Sequence, residues 1–116
     1  GIVTGRTSAA LLNRCHDLGI TMIYDGIKTK GAVFDTILSK THFQAHEVAF
    51  VGDDLPDISI MKKTGMSIAV ADAHDAVKKH ADIITSRNGG DGAVREICEM
   101  ILDSKDLLEK IIENCI

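Results

Sequence analysis

Short apolar runs alternate with segments whose apolar residues recur every three or four positions, from one end of the chain to the other. The runs Ile2-Val3, Thr21-Met22-Ile23-Tyr24, Val48-Ala49-Phe50-Val51, Ser67-Ile68-Ala69-Val70 and Ile83-Ile84 read as strands. Residues 48–51 carry no polar side chain, as expected of a strand covered on both faces. Leu11, Leu12, Cys15 and Leu18 predict a helix capped by Thr7 or Ser8 and stopped by Gly19. Val33 with Ile37, and Phe34 with Leu38, predict a second helix over 31–41. A short helix carries Ile60 and Met61 to Gly65, and another spans 74–81. A helix with Val94, Ile97, Cys98, Ile101 and Leu102 follows, and a tail helix carries Leu108, Ile111, Ile112 and Cys115.

Strands and helices in this alternation imply an α/β fold: a three-layer, Rossmann-like parallel sheet with helices on both faces. A chain of 116 residues without repeat, low-complexity stretch or linker is at most one domain, spanning 1–116. Its hydrophobic content of 45% argues against disorder, and aromatics at only 3% argue against stacking on nucleic-acid bases. Net charge is −4 with no basic cluster, so neither a nucleic acid nor a membrane surface is an expected partner. No apolar run approaches the ~18 residues of a membrane span and no signal peptide opens the chain. Cys15, Cys98 and Cys115 lack CxxC spacing and fall on apolar stripes, which predicts buried thiols and a cytoplasmic setting. The five histidines (16, 42, 46, 74, 80) are scattered and read as solvated. The opening Gly1-Ile2-Val3-Thr4 already lies inside a strand, so an N-terminally incomplete domain is expected.

Ligands of open α/β sheets collect beyond the carboxyl ends of the strands, and three polar clusters fall there. Two adjacent carboxylates, Asp53-Asp54, leave a buried strand and oppose each other's ionisation; a hard divalent cation such as Mg²⁺ relieves that penalty. The competing reading is that Asp54 or Asp57 merely caps the helix beginning near Pro56. Thr4-Gly5-Arg6 offers a hydroxyl, an unencumbered amide and a guanidinium just before a helix, which suits a phosphate; an ordinary strand-to-helix turn with a Thr7 cap is the alternative. Lys30 opens a helix at the end where the dipole disfavours a cation, which suggests an anionic partner. Standing alone it would read as solvated, and Lys28 lies close enough to confuse the assignment.

A strand followed by Thr-Gly-Arg, a lysine at a helix start, and a strand followed by Gly-Asp-Asp-x-x-Asp resemble three motifs of the haloacid dehalogenase superfamily. The stretches IVTGR, LGI, VGDDLPD, SIAVADAH (67–74) and GGDGAVREIC (89–98) resemble, within it, the 3-deoxy-D-manno-octulosonate 8-phosphate (KDO 8-phosphate) phosphatases of lipopolysaccharide biosynthesis. The pattern also resembles phosphatases of 9-phosphorylated sialic-type sugars and domains fused to acylneuraminate cytidylyltransferases. The resemblance implies a cytoplasmic hydrolase acting on a small sugar acid phosphate. Asp53 would be the direct Mg²⁺ ligand, Asp54 would stand behind it, and Asp57 would orient the active-site lysine. Thr4 and the Gly5 amide would hold the phosphoryl oxygens, Lys30 would neutralise phosphate and nucleophile, and Arg6 and Arg14 would contact the substrate. It also implies a homotetramer whose C-terminal tail lies near a neighbouring subunit's active site.

Two departures qualify the resemblance. The family's first motif, DxDG, which carries the nucleophile and the general acid–base, is absent from the chain. Its strand belongs between those ending at Thr4 and Val51, so both neighbours are expected to expose unpaired edges and the chain alone to be inactive. Asp91 stands where relatives usually carry arginine, although Arg87 and Arg95 are close by. One rival is a non-catalytic domain of a cytidylyltransferase, which loss of the nucleophile would suit. Another is a phosphoacceptor signalling domain, but there the acidic pair follows the first strand and the lysine comes last, the reverse of the order here.

Overall fold

All five expected strands form in the computed structural model, which describes residues 1–116: β1 Ile2–Val3, β2 Ile23–Tyr24, β3 Ala49–Gly52, β4 Met66–Ala69 and β5 Ile83–Ile84. Between them lie α1 Ala9–Asp17, α2 Lys30–Thr41, α3 Ile58–Met61, α4 Asp75–Lys79, α5 Ala93–Ser104 and α6 Leu108–Cys115. Every ladder is parallel, so each strand returns through a crossover, and the expected α/β class is borne out. Ser8 supplies the α1 cap, its hydroxyl accepting the Leu11 N–H.

The strands form two sheets. β1 pairs with β2, Ile2 opposite Ile23, while β3, β4 and β5 form a separate trio in that order. Ile2 and Thr4 donate their amides to the carbonyls of Met22 and Tyr24. Because alternate residues of a parallel strand face opposite sides, the backbone groups of Val3 face away from β2. On β3, the carbonyls of Val48 and Gly52 accept from Met66 and Val70, which turns Ala49 and Val51 away from β4. Between these two edges lies a cavity of about 420 Å³, lined largely by apolar residues including Ile2, Val3, Phe34, Ile37, Ala49 and Phe50.

The core is centred on β4, where Ser67, Ile68 and Ala69 are all buried, with Val70 beyond. Ile60, Ile68 and Val77 are fully enclosed, each contributing roughly 1.5–3 kcal/mol by leaving water. Met61, Ala73 and Ala93 bring α3, the turn before α4, and α5 onto this centre.

Several expected core positions point outward. Leu12, Leu18 and Val94 are exposed, as are Cys98 and Cys115, so the expectation of buried thiols holds for Cys15 alone. On α5 the inward residues are Ala93 and Ile97; Val94 and Cys98 stand one position, about 100°, further round. The α6 helix buries no residue, although its apolar stripe was readable. All five histidines are exposed, as expected.

Candidate active site

Where β3 ends, the chain leaves the sheet at Gly52 and folds back through Asp53 and Asp54 into a 3₁₀ turn, Leu55–Asp57. A Cβ on Gly52 would lie 2.7 Å from the Cβ of Asp57, so only glycine admits the Asp57 side chain there. Asp57 is 3% exposed and both its oxygens are engaged. Oδ2 accepts the N–H groups of Asp53 (2.9 Å) and Asp54 (3.1 Å), and Oδ1 accepts from Lys30 Nζ at 2.6 Å. Lys30, first residue of α2, faces the unfavourable end of that helix's dipole, and Asp57 offsets the penalty.

Asp53 is held on both sides of its backbone: Asp57 takes its N–H, and its carbonyl accepts the N–H of His74 at 2.9 Å. Its carboxyl is pushed above the usual range, first by burial and then by the facing Asp57 and Asp54 carboxylates, with Lys30 opposing. Asp57 moves the other way. Burial alone would raise it, but the Lys30 bond and the amides of Asp53 and Asp54 outweigh burial and hold it below the usual range. Two carboxylates a few residues apart thus carry opposite biases. Asp57 is committed to its anionic form, and Asp53 gains most from a cation.

The β1 end supplies the opposite wall. Thr4 Oγ1 accepts the Arg6 N–H at 3.2 Å, leaving its hydroxyl proton free to donate. The Ile27 N–H donates to the Thr4 carbonyl (3.0 Å), and the Gly26 N–H to the Arg6 carbonyl (3.2 Å). Gly26 has φ +63°, a left-handed value that glycine adopts without strain. The loops after β1 and β2 therefore form one backbone-stitched rim.

Thr4, Gly5, Arg6, Lys30, Asp53 and Asp54 line one cavity of about 660 Å³, completed by Ile27, Lys28 and Pro56. Thr4, Lys30 and Asp53, expected to supply a hydroxyl, an ammonium and a carboxylate to one site, thus share a single cavity wall. Asp57 lies beneath them and acts on the cavity through Lys30. Arg14 is not among the lining residues and stands exposed on α1. The capping reading of Asp54 is realised as well, since its Oδ1 accepts the Leu55 N–H at 2.8 Å; capping and cavity lining coexist. Lys28, which the sequence offered only as a competitor to Lys30, lines the cavity alongside it. One contribution escaped the sequence: the His74 amide grips Asp53, for which no sequence signal exists because every residue but proline carries an N–H.

No cluster of three or more His, Cys, Asp or Glu side chains gathers into a metal-binding group. The carboxylates lining the cavity are Asp53 and Asp54, and Mg²⁺ is the cation that takes one or two carboxylates together with water and phosphate oxygens.

The profile of the haloacid dehalogenase-like hydrolase family matches residues 16–97. The 3-deoxy-D-manno-octulosonate 8-phosphate phosphatase of Escherichia coli strain K12 is 43% identical over 109 residues, which cover 94% of this chain and 58% of that protein. The crystal structure of the Yersinia pestis phosphatase of the same name superposes with a TM-score of 0.92 at 42% identity, covering 94% of this chain and 59% of the other. The Moraxella catarrhalis phosphatase, solved with a magnesium ion, a phosphate ion and a KDO molecule, gives a TM-score of 0.95 at 34% identity, covering 99% and 66%. The chain thus spans just under three fifths of the length of the curated relatives it matches.

Proposed function

Because the chain belongs to the haloacid dehalogenase-like hydrolases, we propose that it forms part of a cytoplasmic, Mg²⁺-dependent phosphatase that converts 3-deoxy-D-manno-octulosonate 8-phosphate to KDO and phosphate. The observation that carries this reading is the single cavity shared by Thr4, Gly5, Lys30 and Asp53. Thr4 donates its hydroxyl and Gly5 its amide to the phosphoryl oxygens, while Lys30, held by Asp57, meets a third. Asp53, with Asp54 behind it, would hold Mg²⁺, which when bound would supply positive charge to offset that of the reacting anions. Such a reaction asks the protein chiefly for positioning and electrostatics, which these residues supply.

The nucleophile is an aspartate on a further strand lodged between β1 and β3, supported by the slot and by the absence of any DxD within residues 1–116. Its carboxylate attacks phosphorus, the phosphorus–oxygen bond to the sugar breaks, and a second aspartate on that strand protonates the departing alkoxide. Water then cleaves the aspartyl-phosphate. The assembled enzyme is a homotetramer with α6 near a neighbouring subunit, a placement in keeping with the exposed apolar residues of that helix. No helix is long and apolar enough to cross a membrane.

The test supplies the strand, fused or in trans, and follows phosphate release from KDO 8-phosphate. Release with Mg²⁺, none after EDTA, and none from residues 1–116 alone are expected. A strand-completed protein that folds and releases no phosphate would refute the proposal.

A further inference from the structure

Lys28 takes no part in the chemistry above, yet it lines the same cavity as Lys30 and Asp53. Its backbone is anchored: the preceding Gly26 and Ile27 are tied by their amides to Arg6 and Thr4, and α2 begins two residues later. The ammonium pairs with no carboxylate, since the three ion pairs of the protein are Lys30–Asp57, Lys63–Asp35 and Arg95–Glu99. Arg6, on the same cavity, is likewise absent from those pairs. Only three of the 13 basic side chains are ion-paired, so what distinguishes Lys28 and Arg6 is their place on the wall of this one cavity. The phosphoryl group accounts for the inner donors, Thr4, Gly5 and Lys30. Lys28 and Arg6 remain on the cavity wall to meet the rest of the ester.

We infer that Lys28 is a specificity-determining residue that binds a carboxylate on the non-phosphoryl end of the substrate. This deepens the phosphatase reading and rests on it. An exposed ammonium is a compact point charge that suits a singly charged carboxylate, and the phosphoryl end is already met by the Thr4 hydroxyl, the Gly5 amide and Lys30. Lys28 therefore divides phosphorylated sugar acids from neutral sugar phosphates of the same size.

The experiment compares KDO 8-phosphate with its C1 carboxamide, using the strand-completed, Mg²⁺-loaded enzyme and its Lys28→Met and Lys28→Arg variants. Lys28→Met is expected to raise KM for the acid about five- to tenfold, the scale of an exposed charge-assisted contact, with kcat within about twofold. The same substitution changes KM for the carboxamide less than about twofold, and Lys28→Arg restores most of the affinity for the acid. Raising the salt concentration shrinks the difference. Equal losses on both esters, or no loss on either, would overturn the assignment of Lys28. A wild-type enzyme that hydrolyses neither ester would instead sink the phosphatase reading.

Discussion

Replacing Asp57 with Asn preserves shape and removes one charge, and the structure dictates what must follow. Asp57 uses Oδ2 for two amides and Oδ1 for the Lys30 ammonium. Asparagine has one acceptor oxygen. If that oxygen faces the amides of Asp53 and Asp54, an NH₂ group confronts the ammonium; if it faces Lys30, two amides lose their acceptor. Breaking a buried ion pair costs about 3–5 kcal/mol, and Lys30, still 13% exposed, recovers some hydration, which brings the expected loss to roughly 2–4 kcal/mol. At about 4 °C per kcal/mol for a domain of this size, Tm falls by roughly 8–16 °C. Lys30 is also released from its position, and kcat falls about 100-fold, the scale of a 1 Å misplacement. The assay is thermal melting and turnover of the strand-completed enzyme for Asp57→Asn, Lys30→Met and the double variant. The double variant should be more stable than the sum of the single losses predicts by at least about 1 kcal/mol, because it removes the uncompensated ammonium. A Tm change below about 2 °C, or strict additivity, would refute the assignment of Asp57 as the support of Lys30.

Asp53→Asn removes the proposed metal ligand while keeping the backbone clasps, so turnover is lost and calorimetric Mg²⁺ binding weakens at least about 10-fold; unchanged Mg²⁺ dependence would contradict the assignment. Gly52→Ala places a Cβ on Asp57 and should cost about 1–3 kcal/mol together with most of the activity, measured by urea unfolding and phosphate release; a silent substitution would remove the steric argument. The two shifted carboxyls predict opposite pH behaviour. Asp57, held below the ordinary 3.8, stabilises the fold above that value and ceases to do so as pH falls through its lower native value. Asp53, held above 3.8, favours the fold when protonated, and that contribution disappears as pH rises through its native value. Added Mg²⁺ should therefore raise Tm at neutral pH and have little effect near pH 3, and a pH-independent Mg²⁺ shift would exclude Asp53 as its ligand.

Strand and helix identity was legible because hydrophobic period and local caps are properties of neighbouring residues. Ile83–Ile84 and the Ser8 cap fall where their sequence places them, and the boundaries of β3 and β4 shift by a single residue. The expected burial of Leu18, Val94 and Cys98 fails because an apolar stripe shows which side of a helix is greasy, not how much of that side a neighbour covers. The candidate site was legible as three clusters at strand ends. Parallel pairing brings the ends of β1 and β2 to one edge, which places Thr4 near the segment leading to Lys30. Asp53 follows β3 of the other sheet and joins the same cavity only through the way the two sheets stand in the fold.

What the amino-acid order determined by itself is the alternating α/β pattern, the helix caps and the acidic, basic and hydroxyl groups poised at strand ends, all set within a few residues. The division of labour between Asp53 and Asp57, the grip of His74 on Asp53, the Lys28 ammonium in the cavity and the apolar slot between β1 and β3 were decided only in three dimensions. Each depends on groups from distant segments meeting within a few ångströms, where burial and charge–charge distance set the energy. Neither quantity is a property of a single residue or its neighbours in the chain.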